Sequence, residues 1–412
     1  MTAVILFSDI LLFGIISVVG WIFIRSLRNP LLPQWHTMFK KPGAMASGIL
    51  LAFFVTIALL DSLRFESHFI IQTLLDLCLS TLNKVEGPSY SPPFTAISSV
   101  LQQPLLTGLI KGWQQGSLTT LLIIALTGMR GRVRGYSLYH QLVTLMTGRS
   151  IYAWRTFFIS LWLVLSCLAV FYQWSEQYFI AGTDKLGNDV LYTALKSIRT
   201  ALVVGLISTL LLLPCALFFG LISGFFGSRV DMMITYLYTL INAIPSILLL
   251  AAAVLLLQTS HIQSSDNHLL ILCLILGLTS WAGICRLVRA ETLKIREYPF
   301  VKAVQLLGLS NGKILLKHIL PAVWPVALVT VTLDFSGLVL AEVVLSYLGI
   351  GVGEGIYSFG TLMNNARLEL VRLPVVWWPL FCAFSLLSLL IVAANLMSDA
   401  LQAFFDPLRR PE

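Results

Sequence analysis

Charged residues are scarce in this sequence of 412 residues. Asp, Glu, Lys and Arg together make up 11% of the chain, whereas hydrophobic residues make up 57%. A soluble globular domain carries about 25% charged residues, so the composition excludes a single soluble core. In a bilayer each apolar segment must satisfy its own backbone hydrogen bonds, which favours helices. We therefore predict an all-α, polytopic transmembrane protein.

Motifs that bind metals or phosphates are also missing. The six cysteines show no Cys-x-x-Cys spacing and the six histidines are scattered, so no zinc or redox site is indicated. No Gly-x-x-x-x-Gly-Lys-Ser/Thr loop is present to hold the phosphates of ATP. We expect no metal, no cofactor and no catalytic residue. The net charge of +8 does not indicate nucleic-acid binding, because the basic residues lie beside apolar runs.

Long apolar runs are what the sequence has instead. A transmembrane helix needs about 20 apolar residues, and nine runs approach that length. Three lie in the first 154 residues, at 4–24, 46–63 and about 105–129. Six follow, at 157–172, 201–222, 233–257, 269–288, 323–344 and 376–397. Whether the third run crosses fully is open, since Lys111, Gln114 and Gln115 dilute its start.

Basic residues set the expected orientation. They follow the first run at Arg25, Arg28, Lys40 and Lys41, and the third run at Arg130, Arg132, Arg134 and Arg149. Many more occur between residues 289 and 317. Because Lys and Arg concentrate in cytoplasmic loops, we expect the N-terminus outside, the C-terminus inside and residues 64–116 outside.

The basic segment 289–321 shows a helix–turn–helix pattern. Apolar residues recur at helical spacing, at Val301, Val304 and Leu307. Gly308 can end this helix in a left-handed conformation. A short second helix is expected over 314–319, with Pro321 at its exit into the next span. The pattern predicts a knob outside the membrane that can seat in a groove of another protein, although alone it also fits an ordinary amphipathic connector.

This pattern resembles the coupling motif of bacterial ABC importer permeases, which reads Glu-Ala-Ala, three residues, Gly, nine residues, Ile, one residue, Leu-Pro. The matching residues are Ala303, Gly308, Leu320 and Pro321, and the departures are Lys302, Val304 and His318. The resemblance implies that this segment contacts an ATPase. The residues it points to are Lys302, Ala303, Val304, Gly308, Ile319, Leu320 and Pro321.

Further segments resemble the permeases of dipeptide, oligopeptide and nickel importers. A loop signature of that family is matched by Gly182, Thr183, Asp184, Gly187 and Asp189, with Asn188 in place of Arg. Other matches fall at 199–202, 223–231, 244–246, 281–289, 340–349, 377–379 and 406–407. The order holds from about residue 155 to 410, and it resembles the C-type member of a permease pair.

The resemblance divides the chain into two domains. Residues 155–412 form a six-helix permease core with a cytoplasmic coupling loop at 289–321. Residues 1–154 form an extension with about three transmembrane helices and an extracytoplasmic loop. Because the extension lies outside the resemblance, we expect residues 1–149 to be dispensable for coupling.

Two residues are candidates for the transport pathway. Pro245 lies inside an apolar run and serves either as a hinge or as a simple kink. Glu342 lies in or near the end of another run, where a carboxylate is unfavourable. It therefore either lines the pathway, packs beside a basic group or sits at the interface. Asp184 and Asp189 are interpreted as structural residues of the outer loop.

The resemblance implies a multi-pass subunit of a bacterial cytoplasmic membrane that is not itself an enzyme. Its implied partners are a second, B-type permease, two cytoplasmic ATPase subunits and an extracytoplasmic binding protein. The implied cargo is a di- or oligopeptide moved by alternating access, with nickel chelates or antimicrobial peptides as alternatives. An ion-driven secondary transporter would show internal repeats and charged relays, which are not seen. A structural membrane anchor would not need a coupling motif.

Overall fold

The computed structural model describes residues 2–3, 6–28, 38–39, 41–67, 70–80, 82, 87–97, 105–133, 153–258, 265–353 and 355–405. Lys40, Arg134, Arg149, Asp406 and Pro407, which the sequence interpretation uses, lie outside these residues. The described residues are mainly helical, and the prediction of an all-α, polytopic fold is confirmed.

The first helices are α1 (Phe7–Arg28), α2 (Pro42–Ser62), α3 (Leu74–Cys78), α4 (Leu105–Val133), α5 (Trp154–Ser175), α6 (Val190–Phe226), α7 (Ser228–Ala243) and α8 (Ser246–Gln258). The remaining helices are α9 (Ser265–Arg296), α10 (Pro299–Leu306), α11 (Asn311–Ile314), α12 (Leu320–Tyr347), α13 (Phe359–Glu369) and α14 (Trp378–Phe405), with a π-helical turn at Leu315–Ile319 between α11 and α12. The short strands are β1 (Thr2–Ala3), β2 (Arg64–Ser67), β3 (Ile70–Thr73), β4 (Thr95–Ala96) and β5 (Tyr178–Phe179).

Among the described residues, six unbroken helical segments are long and apolar enough to cross a membrane. They are Pro42–Ser62, Trp154–Ser175, Val190–Phe226, His268–Arg296, Asn311–Tyr347 and Trp378–Phe405. The bent pair α7–α8 makes a seventh when it is counted as one span. Together with this pair, the predicted core from residue 155 onward has six spans.

The predicted span at 233–257 is broken in its middle, at Pro245, into the two helices α7 and α8. The chain bends by 85° between α7 and α8. Ile244 has an extended backbone, with φ −94° and ψ 133°, because the proline ring that follows disfavours the helical conformation. Pro245 also lacks the N–H that would continue the helical hydrogen bonds.

Within the N-terminal extension, α2 is a candidate span by length and composition. Helix α1 (Phe7–Arg28) covers most of the predicted first run. Helix α4 covers the predicted third run, yet it is not among the six candidate spans. Lys111, Gln114 and Gln115 lower the mean hydropathy of its first half, which explains why it does not qualify.

The described contacts divide the chain into two compact units. The first unit comprises residues 1–5, 16–200 and 357–400. Within it α4 packs along α5, and two glycines of α4 allow the close approach. A Cβ at Gly112 would lie 2.6 Å from the Val170 backbone, and one at Gly116 would lie 2.5 Å from the Ser166 Cα. Small residues serve this purpose in membrane helix pairs.

The first unit also contains short antiparallel strands. Strands β1, β2 and β3 form one sheet, and β4 pairs with β5. The β4–β5 pairing joins the loop before α4 to the segment after α5.

The second unit comprises residues 6–15, 201–356 and 401–412. Helix α9 packs against α12, α8 and α7. It also approaches α6 closely, because a Cβ at Gly220 would lie 2.6 Å from the Val288 side chain and one at Gly224 would lie 2.6 Å from Thr292. This unit contains the predicted coupling loop and the α7–α8 bend.

Candidate coupling surface and transport pathway

The predicted coupling segment folds as two short helices joined by a turn. Helix α10 begins at Pro299, whose fixed φ suits the first helical turn. Gly308 follows the helix with φ +77°, the left-handed conformation expected at a helix end. The chain then forms α11 and the π-helical turn, and it continues into α12. The structure therefore contains a helix–turn–helix element, which we call the coupling knob (residues 299–319).

One detail of the knob differs from the sequence interpretation. Leu307 does not share the buried face of Val301, because α10 ends at Leu306 and the Leu307 side chain is 77% exposed. Pro321 stands where the chain passes into the next span. It lies in the first turn of α12, a position where the missing N–H of proline leaves no helical hydrogen bond unmade.

The knob has a buried side and an open side. Val301, Ile314 and Ile319 are fully buried. Leu306 and Leu307 are 89% and 77% exposed, and Lys302, Ala303 and Gly308 are exposed beside them. Of the remaining predicted contact residues, Val304 and Leu320 are half-buried and Pro321 is exposed. An apolar tip on a polar, solvent-facing element is typical of a protein interaction surface.

The base of the knob is held by arginine side chains. The Arg296 guanidinium donates hydrogen bonds to the carbonyl oxygens of Gly224 (3.3 Å) and Phe225 (3.1 Å), at the C-terminal end of α6. Such carbonyls have no partner within their own helix, and a cation there is favourable. Arg296 thereby connects the end of α9 to the end of α6.

A second arginine connects α9 to α7. Arg289 forms a bidentate pair with Asp231, in which Nη2 and Oδ2 lie 2.7 Å apart. Ser223 also donates a hydrogen bond to this carboxylate. A bidentate pair fixes both the distance and the angle between its two side chains. A displacement of the knob would therefore reach α6 through Arg296 and α7 through Arg289. Both charged residues lie in segments that the sequence analysis matched, but their pairing depends on the folded helices.

An exposed ion pair lies at the start of the knob. The Lys302 Nζ is 3.0 Å from a Glu297 carboxylate oxygen. The hydrogen bond from Lys302 lowers the pKa of Glu297 below its ordinary value. Exposed pairs of this kind contribute little to stability, so Lys302 remains accessible to a partner.

The matched outer loop is a structural element. The Asp184 carboxylate accepts hydrogen bonds from the backbone N–H groups of Leu186 (2.8 Å) and Asn188 (2.9 Å). Asp189 accepts one from the Leu191 N–H (2.7 Å) and so caps the start of α6. Gly182 and Gly187 have φ +72° and +84°, which explains the glycines of the signature.

Contacts from this loop to the N-terminal extension were not apparent in the sequence. The Thr183 hydroxyl donates to the Pro88 carbonyl (2.7 Å) and accepts from the Ser91 N–H (2.8 Å). The Trp378 indole donates to the Thr183 carbonyl (3.1 Å). The loop is thus bonded to the extension on one side and to α14 on the other.

The two predicted pathway residues lie in different surroundings. Pro245 lines a cavity of about 480 Å³ at the α7–α8 bend. Glu342 is not among its lining residues; it is fully buried, and its carboxylate accepts a hydrogen bond from the Ser346 hydroxyl at 2.7 Å. The acidic residue that lines the cavity is Asp334 of α12. An acidic residue near the middle of the apolar run 323–344 was the sequence signal for it.

Comparison with known proteins connects this geometry to a family. Residues 216–411 match the family described as the binding-protein-dependent transport system inner membrane component. The oligopeptide transport system permease protein OppC of Mycobacterium bovis is 31% identical over 229 residues, which cover 56% of this chain and 76% of that protein. The chain belongs to this permease family.

Other permeases show similar likeness. The oligopeptide transport system permease protein OppC of Haemophilus influenzae is 31% identical over 235 residues, or 57% of this chain and 72% of that protein. The dipeptide transport system permease protein DppC of Lactococcus lactis subsp. cremoris is 31% identical over 229 residues, or 56% of this chain and 64% of that protein. The permease is thus a multi-pass inner-membrane subunit of an ATP-binding-cassette transport system.

Proposed function

We propose that this permease imports di- or oligopeptides by alternating access, driven by two separate cytoplasmic ATPase subunits. The further partners are a second, B-type permease and an extracytoplasmic binding protein that delivers the peptide. The names of the similar permeases support the cargo. The single observation that carries the mechanism is the coupling knob, whose buried side is fixed to the helices while Leu306 and Leu307 are exposed.

The proposed path of energy begins at the knob. ATP binding would move the ATPases, and Lys302, Ala303, Val304, Gly308, Ile319, Leu320 and Pro321 belong to the segment that would follow them. Arg296 and Arg289 would pass this displacement to α6 and α7. The bend at Pro245 would then act as a hinge. Alternating access of this kind is a shift between two populations, biased by the nucleotide state of the ATPases.

We also propose that residues 1–154 are an addition to a permease core at 155–412. The family match begins at residue 216, inside that core. The outer loop of the core, through Thr183, bonds directly to the extension. The extension would therefore support the outer side of the core rather than the knob.

The test is transport by the complete complex. The permease pair and the ATPases would be reconstituted in proteoliposomes with the binding protein, and uptake of labelled Ala-Ala would be measured with ATP and with a non-hydrolysable analogue. We expect Ala-Ala to accumulate in the proteoliposomes with ATP and not with the non-hydrolysable analogue. Absence of Ala-Ala uptake, while the complex hydrolyses ATP and accumulates a nickel chelate, would show that the peptide assignment is wrong.

A further inference from the structure

Asp334 lies near the middle of α12, fourteen positions after Leu320 and thirteen before Tyr347. At about 1.5 Å per residue it is roughly 20 Å from each end of the helix. Its side chain is half-buried and lines the cavity at the α7–α8 bend. In the part of the chain that the structure describes, no hydrogen bond or ion pair engages this carboxylate. A carboxylate at such depth is unfavourable unless it faces water, a ligand or an opposite charge.

The walls of the cavity favour a cation. Among the described residues that line it, Asp334 is acidic and none is basic. Helix α7 ends at this cavity, and the last carbonyls of a helix carry partial negative charge. Pro245 cannot donate a hydrogen bond to any of them. Asp334 and this helix end therefore present acceptors to a common space.

The cavity is also large enough for part of a substrate. Its volume of about 480 Å³ lies within the range of small-molecule sites. Gly283, Gly337 and Ala341 provide room opposite the bend. A binding site at a broken helix near mid-membrane is also a recurring arrangement in secondary transporters, where unwound backbone supplies hydrogen-bond acceptors to the cargo.

We infer that Asp334 and the carbonyl end of α7 form a transient binding site for the terminal ammonium group of the transported peptide. This inference rests on the proposed peptide cargo. An ammonium carries one charge and three N–H donors, which matches one carboxylate with neighbouring carbonyl acceptors. Thr279 does not compete for the carboxylate, because its hydroxyl donates to the Ile275 carbonyl of its own helix at 2.8 Å.

The inference is tested with Asp334→Asn in the complete reconstituted complex. We expect Ala-Ala uptake at limiting peptide concentration to fall at least tenfold, since the substitution removes a charge-assisted hydrogen bond. Asp334→Glu should keep part of the activity. Asp399→Asn serves as the matched control, because Asp399 is exposed near the end of α14 and is not among the residues that line the cavity. Its uptake should equal that of the wild type.

A second measurement addresses the ammonium itself. Propionyl-alanine has the shape of Ala-Ala without the terminal ammonium. The binding protein contributes the same preference in every complex, so the change in the Ala-Ala to propionyl-alanine ratio between wild type and Asp334→Asn isolates the permease. We expect the variant to lose most of its preference for Ala-Ala.

Three outcomes would overturn the inference. Asp334→Asn could transport Ala-Ala as well as Asp399→Asn does, or it could reduce the uptake of both probes equally. It could also fail to co-purify with the second permease, which would identify a permanent ion pair between subunits. A wild-type complex that does not import Ala-Ala would contradict the proposed function instead.

Discussion

Asp76 and Lys196 form a buried ion pair, with the carboxylate Oδ1 and the ammonium Nζ 2.8 Å apart. Asp76 belongs to the N-terminal extension and Lys196 to α6. The Tyr192 hydroxyl donates to the same carboxylate at 2.6 Å. Asp61 lies 4.0 Å from the ammonium, and Arg199 donates to Ser62 at 3.3 Å. Lys196 of the permease core thus pairs with two carboxylates of the extension, and Arg199 bonds to a hydroxyl of the extension.

Lys196→Met should destabilise the protein by about 3 kcal/mol, because breaking a buried pair leaves the remaining charge uncompensated. Here the Asp76 carboxylate would be left without its ammonium, beside Asp61. The measurement is thermal unfolding of the purified permease in detergent. Lys185→Met is the matched control, since Lys185 is exposed in the outer loop, and it should unfold like the wild type.

A cycle of substitutions separates the ion pair from packing. In the double variant Asp76→Asn, Lys196→Met no charge of the pair remains buried, so it should be less destabilised than the sum of the two single variants. Strict additivity of the two single effects would show that the pair contributes no interaction of its own.

Removal of residues 1–149 should lower both the thermal stability of the permease and its yield in the membrane, although the sequence led us to expect that these residues are dispensable for coupling. The expectation that they are dispensable for coupling treated the extension as a separate module. The truncated chain would lack Asp61 and Asp76, and Lys196 would lose both carboxylates. It would also lack the Pro88 carbonyl that accepts from Thr183. We expect low yield in the membrane and early thermal unfolding.

The cause of such a loss can be identified by a partial rescue. Lys196→Met in the truncated chain removes the unpaired cation and should raise its yield. If the truncated chain instead accumulates at the wild-type level and still co-purifies with the ATPases, the extension is dispensable as the sequence implied.

Local features were predictable from the sequence, whereas pairings between distant segments were not. Gly308 was recognised as a helix end because its conformational freedom is a property of the residue itself. Pro245 marked the α7–α8 bend, but the sequence could not distinguish a kink from an 85° break, because that depends on the neighbours that accept the freed groups. Asp76 and Lys196 are more than a hundred residues apart, and neither has a motif that indicates the other.

For the candidate site, too, the local features were predictable from the sequence and the burial of individual side chains was not. Spacing located the helix–turn–helix element, since its turns and apolar positions are local, whereas its proposed coupling role came from the family resemblance. Glu342 and Asp334 were equally visible as acidic residues in one apolar segment. The Glu342–Ser346 hydrogen bond lies within one turn of α12, but only the folded structure shows that Glu342 is buried while Asp334 lines the cavity.

Cysteine labelling should confirm the orientation given by the basic loops. In the segment 64–116, which is expected outside, Ser91 is buried and would label poorly, whereas Ser89 is exposed. In a variant without the exposed Cys78 and Cys167, Ser89→Cys should react with an impermeant maleimide on intact cells. Ser310→Cys should react only after the membrane is opened. The reverse pattern would show that the orientation is wrong.

A side chain added at Gly308 should impair the function of the coupling knob, whereas a side chain added at the nearby Gly312 should not. Gly308 has φ +77°, and the space around it is open, because a Cβ would meet nothing within 4 Å. Gly308→Val would therefore act through the backbone alone, at about 1 kcal/mol or more for a β-branched residue in this conformation. Release of that strain would change the angle between α10 and α11.

We therefore expect Gly308→Val to insert in the membrane at the normal level but to lose ATPase binding and peptide uptake. Gly312→Val is the matched control. Gly312 is also exposed with open space around it, but it lies within α11 at ordinary φ, so valine there should cost only a loss of flexibility. The measurements are co-purification of the ATPases and ATP-driven Ala-Ala uptake. Equal activity of the two variants would mean that the angle set at Gly308 is not what the ATPase recognises, and that the segment is an ordinary connector.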